Sequence, residues 1–280
     1  MFKDARHGQI LFLASFLILG IFTRDWTLHP QHIIIVIASC LLTQAIASTI
    51  ISWNLQPTAE TRHRLSSSWK SALITALGLC LLLRTNHPAT MALAGIFAIA
   101  SKFLFRYQGK HFFNPANFGI ITVLLFTQDA WVSPGQWGTD WWYFLLFAGA
   151  GGIILKQVGR WETSAVFLGV YASLEALRNV WLGWSWDVYT HHLMSGSLLL
   201  FALFMLSDPR SIPNARRSRI IWAIAIACFT FILQHQLFLS TAIFWALFLL
   251  SPLTLILDFL WSESRFNWGA SRVVASSQSS

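Results

Sequence analysis

Ten apolar stretches follow one another along this chain, and they limit what it can fold into. They run roughly over 9–23, 33–53, 69–84, 89–106, 115–127, 141–156, 163–180, 193–207, 218–234 and 238–260. A helix needs about 20 apolar residues to span the hydrocarbon of a bilayer. Stretches three, five, six and eight are short for that. They predict half-helices, or spans buried among their neighbours. Hydrophobic residues make up 55% of the chain and charged residues only 11%. A soluble domain carries about a quarter charged residues. A soluble fold of this size would need a charged surface that this chain lacks. The reading is an all-α polytopic membrane protein.

The charges test the count of ten. With the N-terminus placed in the cytoplasm, sixteen of the 19 Lys and Arg fall on the cytoplasmic side. Only Arg24, Arg84 and Arg178 fall outside. Dropping one crossing would swap the sides of the later loops and destroy the bias. The expectation is ten transmembrane helices in the inner (plasma) membrane with both termini cytoplasmic. The net charge of +8 then reflects topology, and no nucleic-acid partner is expected. Trp and Tyr near the stretch ends, such as Trp53, Trp69, Trp141, Trp181 and Trp261, fit an interfacial belt. Lys3 and Arg6 precede the first stretch as in a signal peptide, but no small-x-small site follows, so a retained helix is expected. Cys40, Cys80 and Cys228 lie singly in apolar stretches and read as small buried hydrophobes.

Stretches three and eight echo one another. Each opens on Ser (Ser71, Ser195), runs about 13 residues, and breaks at a polar loop containing Pro. They are the third members of two sets of five. Five is odd, so tandem halves insert in opposite senses, which predicts two inverted five-helix repeats. The domain expectation is a single membrane domain over 1–269, with halves 1–127 and 141–262. A polar, Ser-rich, disordered tail over 270–280 follows.

Between the halves' broken members lies Ser101–Gly119, where an apolar pattern ends in Lys102, Arg106, Lys110 and His111. Asn114-Pro115 then reads as an N-cap and first turn of a new helix. Elsewhere the chemistry is sparse. There is no phosphate loop, dinucleotide fingerprint or nucleophile elbow, and no cluster with metal-ligand spacing. His191-His192 reads as an interfacial pair. Glu175 and Arg178, one turn apart, read as an ion pair. Gly149, Gly151 and Gly152 read as a close helix contact. No catalytic residue is assigned.

Gly109-Lys-His-x-Phe-Asn-Pro-Ala-Asn-Phe-Gly119, Ser71-Ala-Leu-Ile, and Ser207-Asp-Pro…Pro213…Arg219 resemble motifs of the RnfD/NqrB family of membrane electron-transport subunits. They occur in that family's order over roughly residues 70–220. The middle-loop Ser133-Pro-Gly-Gln-Trp-Gly138 and the N-terminal Asp4-Ala-Arg-His7 resemble its short UnbU-type branch, found in enediyne biosynthesis clusters. The resemblance implies a urea-transporter-like fold and a role in redox-driven ion translocation with partner subunits and flavins. In classical members a Thr in a D-x-x-[ST]-G-A-T stretch carries FMN. Here Thr122, Thr127 and Thr139 all lack the preceding Gly-Ala, so covalent FMN is not expected. The resemblance leaves room for FMN or riboflavin held non-covalently. The expected cofactor-binding residues are Ser71, Lys102, Lys110, His111, Asn114, Pro115, Asn117, Gly119, Ser133, Gln136, Ser207 and Asp208, with no metal. Three functional classes stand open: a redox subunit, a small-solute permease of the same fold, and a membrane component or anchor of a biosynthetic pathway.

Overall fold

Proline and glycine punctuate the helices. The computed structural model describes residues 4–24, 28–55, 68–132, 140–266 and 268. Helix α1 covers Ala5–Arg24 and α2 covers Pro30–Leu55. A 14-residue α3, Trp69–Leu82, is followed by α4, Pro88–Leu104, and α5, Pro115–Phe126. Proline opens α2, α4 and α5, where its missing N–H would have no intrahelical partner anyway. Helix α6, Trp141–Val158, ends at Gly159, whose φ of 71° forms a left-handed cap. Helix α7 is Trp161–Trp181 and α8 is Trp186–Leu193. Helix α9, Gly196–Leu200, passes directly into a π-helical turn, Phe201–Met205. The last three helices are α10, Arg216–Gln236, α11, Ala242–Leu250, and α12, Leu253–Leu260.

Four helices, α1, α2, α6 and α10, are long and apolar enough to cross a membrane. Two bent units, α8 with α9 (44°) and α11 with α12 (47°), bring the number to six if each is one crossing. Helices α3, α4 and α5 are shorter and apolar. The exterior is apolar too: Ile34, Leu42, Ile46 and Ile50 face outward along α2, and Phe22, Phe126 and Phe259 are exposed. A surface of this kind is soluble in lipid, not in water. The protein is an all-α polytopic membrane protein.

The pairings within the first five units recur in the second five. Helix α3 packs on α1 and α2, α2 on α4, and α4 on α5. Correspondingly the α9 and π-turn unit packs on α6, the π turn on α7, α7 on α10, and α10 on α11. The two sets meet through α1 with α6 and α5 with α11. Small residues allow the close approaches. A Cβ on Gly119 would lie 2.5 Å from the Ala94 carbonyl oxygen, so α5 sits against α4 only with glycine there. Gly151 makes the same allowance for Leu203, whereas Gly149 and Gly152 face open space, so one glycine of that run makes the contact.

Two short antiparallel pairs lie outside the sequence reading. Strand β1, Leu83–Thr85, pairs with β4, Ala130–Val132; β2, Arg106–Tyr107, pairs with β3, Lys110–His111. Arg84 in β1 is buried and donates to the Cys80 and Leu83 carbonyls at the end of α3. The tenth stretch is not one helix: it breaks at Ser251-Pro252, where proline lacks the N–H a continuous helix needs. Residues 186–193, read only as a connection, form α8.

Candidate functional site

The loop after the π turn is irregular yet buried, which leaves its carbonyls in need of donors. Arg160 supplies two, to Pro213 O (3.1 Å) and Asn214 O (3.3 Å). Arg219 also donates to Asn214 O, and its guanidinium pairs with Glu162 through Nε at 2.8 Å. The Asn214 amide N–H donates to Asp258 at 2.7 Å, and Lys110 Nζ closes the cluster on Asp258 at 2.6 Å. Four charged side chains thus hold one loop, and that loop carries Ser207 and Asp208.

The π turn is tied down as well. Its wider turn, with Leu206 N–H donating to Phe201 O, leaves carbonyls free for side chains. Ser164 donates to Ala202 O (2.6 Å) and Asn114 Nδ2 to Met205 O (3.0 Å). Asn114 has a second task. Its Oδ1 accepts the Asn117 N–H (3.1 Å) and caps α5. Asn117 Nδ2 donates to Phe244 O in α11 (3.1 Å). The Asn-Pro-Ala-Asn run therefore bonds the first five units to the second five at two points.

Between these tied elements is a cavity of about 80 Å³, room for several waters. Ser71, Thr75 and Gly78 line it from one face of α3, and Asn114, Pro115 and Ala116 from the start of α5. The loop contributes Met205, Ser207, Asp208 and Pro209; α1 contributes Arg6, Gln9 and Leu13. Most of the remaining wall is aliphatic, from Leu81, Leu82, Ile154, Val158 and Leu200. The result is a slot with apolar sides and one polar end.

The polar end has a defined hydrogen-bond sense. Lys102 is buried in α4 and donates to Ser71 Oγ at 3.2 Å. An ammonium only donates, so the Ser71 hydroxyl accepts there and keeps its own hydrogen for another acceptor. Ser207 donates to Leu203 O (2.6 Å), which leaves its oxygen as an acceptor. Asp208 receives the Arg210 N–H at 3.2 Å and lies 3.8 Å from His111 Nε2. Burial would raise its carboxyl, but His111 and the Arg210 amide hold it below the ordinary carboxylate range. Burial pushes His111 down, against the pull of Asp208. Burial also lowers Lys110, opposed by Asp258.

At the rim, Asp4 grips Arg6 through Nε (3.1 Å) and NH2 (2.8 Å) and also receives Lys70 (3.1 Å). This ties the start of α1 to α3 and sets Arg6 at the cavity edge, 5.2 Å from the Trp268 ring. Burial raises the Asp4 carboxyl, but Arg6 and Lys70 together bring it down to about 2 from 3.8. A lowered folded-state pKa means stability that is complete above the unfolded value and lost on acidification. Acid unfolding of detergent-solubilised protein should therefore steepen between about pH 4 and the folded value near 2. Asp4→Asn should flatten that segment of the curve, and an unchanged curve would contradict the assignment.

The expected binding residues separate cleanly. Ser71, Asn114, Pro115, Ser207 and Asp208 line the one cavity, and Lys102 reaches it through Ser71. Lys110 does not line it, being engaged by Asp258, and His111 stands behind Asp208. Asn117 and Gly119 face α11 and α4 instead. Ser133 and Gln136 lie outside the described residues. The first turn of α5 offers a ligand little: Pro115 has no N–H, and those of Asn117 and Phe118 go to Asn114, leaving the Ala116 amide. The π turn and the Arg160, Glu162 and Arg219 cluster were not anticipated. The π turn is uniformly apolar in sequence and gives no signal. Arg219 had one, as the last residue of the motif beginning at Ser207.

The family model described as "NQR2, RnfD, RnfE family" matches residues 127–267, half of the chain. The chain belongs to this family. The matched region begins after the Asn114–Asn117 run and takes in the π turn, the buried loop and Asp258. The chain is also similar to proteins named as subunits of an ion-translocating oxidoreductase complex. The one from Actinobacillus pleuropneumoniae serotype 5b (strain L20) is 27% identical over 103 residues, 36% of this chain and 30% of the relative. The one from Stutzerimonas stutzeri is 29% identical over 119 residues, 41% and 32% respectively. The one from Vibrio vulnificus (strain YJ016) is 29% identical over 99 residues, 35% and 28%. The matched stretch thus covers about a third or less of these relatives' length.

Proposed function

We propose that this chain is a membrane subunit of an ion-translocating electron-transfer complex and works with partner redox subunits. In this reading the cavity between α3, α5 and the π turn, at about 80 Å³ smaller than a whole flavin ring, takes the polar edge of that ring non-covalently. One observation carries it: residues from both halves, drawn from all three motif stretches, converge on one slot with aliphatic walls and a polar end. Such a slot suits a flat ring with an apolar face and a polar edge. Ser71, with its hydroxyl hydrogen free, would donate to a ring carbonyl, and the Ala116 amide would add a second donor. Lys102 would hold Ser71 in that sense, and Asp208 and Arg6 would set the charge at the mouth. A bound flavin supplies one- and two-electron chemistry that no side chain here offers. Covalent attachment is not part of the reading: the Thr122 and Thr127 hydroxyls donate to Phe118 O and Val123 O within α5 and its cap.

The repeated helix pairings support a further element, two inverted five-helix halves over 1–127 and 141–262 with both termini cytoplasmic. Membership of the UnbU-type branch, and with it a biosynthetic setting, rests on the Asp4–His7 and middle-loop motifs alone.

The test is an absorbance spectrum of detergent-purified protein from a flavin-producing host, followed by denaturation. Yellow protein that releases flavin is expected. Gly78→Leu should lose most of it while staying monodisperse, because a Cβ at Gly78 meets only Ala116 Cβ at 3.7 Å and the rest of the side chain enters the slot. Colourless wild-type protein that releases nothing would overturn the reading. Solute flux into proteoliposomes by such colourless protein would favour a permease.

A further inference from the structure

A second buried polar cluster lies at the other end of α7. Glu175 is fourteen residues beyond Trp161, ~21 Å along the helix axis. It is buried, and an ionisable group buried in an apolar bundle calls for a specific partner. The partner is not Arg178, whose guanidinium lies over Trp184 at 4.7 Å. Glu175 Oε1 is instead 2.7 Å from His235 Nε2 on α10, and Oε2 is 4.0 Å from His192 Nδ1 on α8. His235 is buried against Phe231, while His192 is half-buried and faces a small opening. That opening, about 10 Å³, holds about one water and is lined by Glu175, Asn179 and His192. Asn179 is buried with both amide hydrogens given to Trp184 O and Ser185 O, and its Oδ1 has no donor among the described residues. An orphan acceptor beside a carboxylate asks for a hydrogen-bond donor such as water.

We propose that Glu175, His235 and His192 form a proton-binding site, open at the end of α7 remote from the Ser71–Asp208 cavity. The inference is independent of the redox reading. A proton entering from the opening turns the His192 imidazole into imidazolium. Passing through one water, it moves to Glu175 or on to His235, and His192 becomes neutral again. No other atom is exchanged. The charged and titratable groups facing the carboxylate are Tyr171 and Arg178 from α7, His192 and Tyr189 from α8, and His235 from α10. Tyr171 donates to Gln234 at 2.8 Å. Arg178 lies over Trp184, so a proton here is held by the carboxylate and the two imidazoles.

The test uses dicyclohexylcarbodiimide, an apolar reagent that adds to protonated carboxyls, on the full chain in detergent. Labelling at Glu175, read by mass spectrometry, should be detected and should grow on acidification. The imidazoles share the proton with the carboxylate, so removing one leaves more of it on Glu175. At a fixed pH, labelling in His235→Gln should exceed wild type several-fold, and by less in His192→Gln, in line with 2.7 against 4.0 Å. His192 is half-buried at the surface, so its variant decides the matter if His235→Gln fails to fold. Glu175 unlabelled at every pH tested, or His192→Gln labelling equal to wild type, would overturn the proposal.

Discussion

Arg219→Leu should cost about 3–5 kcal/mol of stability, the largest effect of any single substitution considered, because it strands a buried charge. Arg219 and Glu162 are both buried, and they pair where α10 and α7 begin. Removing the cation leaves the buried Glu162 carboxylate without the Arg219 guanidinium and takes one donor from Asn214 O. The expected readout is a drop in apparent melting temperature on the order of 10 °C. Burying an ion pair is itself expensive, so replacing both partners with apolar residues can cost little. Arg219→Leu/Glu162→Leu should therefore recover most of the loss. What it cannot restore is the bond to Asn214 O, so some deficit should remain. If the double variant melts no higher than Arg219→Leu, the pair is not the source of the effect and the loop contact is.

This pair also shows where the sequence was readable. Each of the ten apolar stretches is largely helical, the tenth as two helices, because lipid demands long apolar runs with few polar residues. Three separated motifs pointed to one place, and Ser71, Asn114 and Ser207 do share a cavity. Helix-to-helix bonds were not legible. Asn117 reaches Phe244 across 127 residues, and nothing in local pattern encodes that. The Glu175 and Arg178 pairing failed for the same reason: spacing along one helix cannot weigh a histidine arriving from another. The π turn is hidden because its carbonyl partners, Ser164 and Asn114, sit far away in sequence. The break at Pro252 was legible, since proline inside an apolar run signals one, but the length of the run masked it.

Asn114 should separate assembly from ligand binding. Asn114→Ala removes the α5 cap, worth about 1 kcal/mol, and leaves the Met205 carbonyl short of a donor, a further ~1–3 kcal/mol. The protein should therefore melt lower and, if a flavin occupies the slot, hold it less tightly. Asn114→Asp splits the two roles. A carboxylate still accepts the Asn117 N–H and suits a helix N-terminus. It has no N–H for Met205 O, and it sets two oxygens against each other. Destabilisation in Asn114→Asp would then report the lost bond to Met205 plus that repulsion, while Asn114→Ser, a good cap too short to reach Met205, should report the lost bond alone. Thermal unfolding in detergent orders the three: Ser the mildest, then Asp or Ala, according to whether the repulsion outweighs the lost cap. If Asn114→Ser melts with the wild type, the bond to Met205 contributes nothing, and the two sets are joined by Asn117, Lys110 and apolar packing. If instead it falls, a single side chain couples the start of α5 to the π turn, and any ligand touching both would be felt in each half.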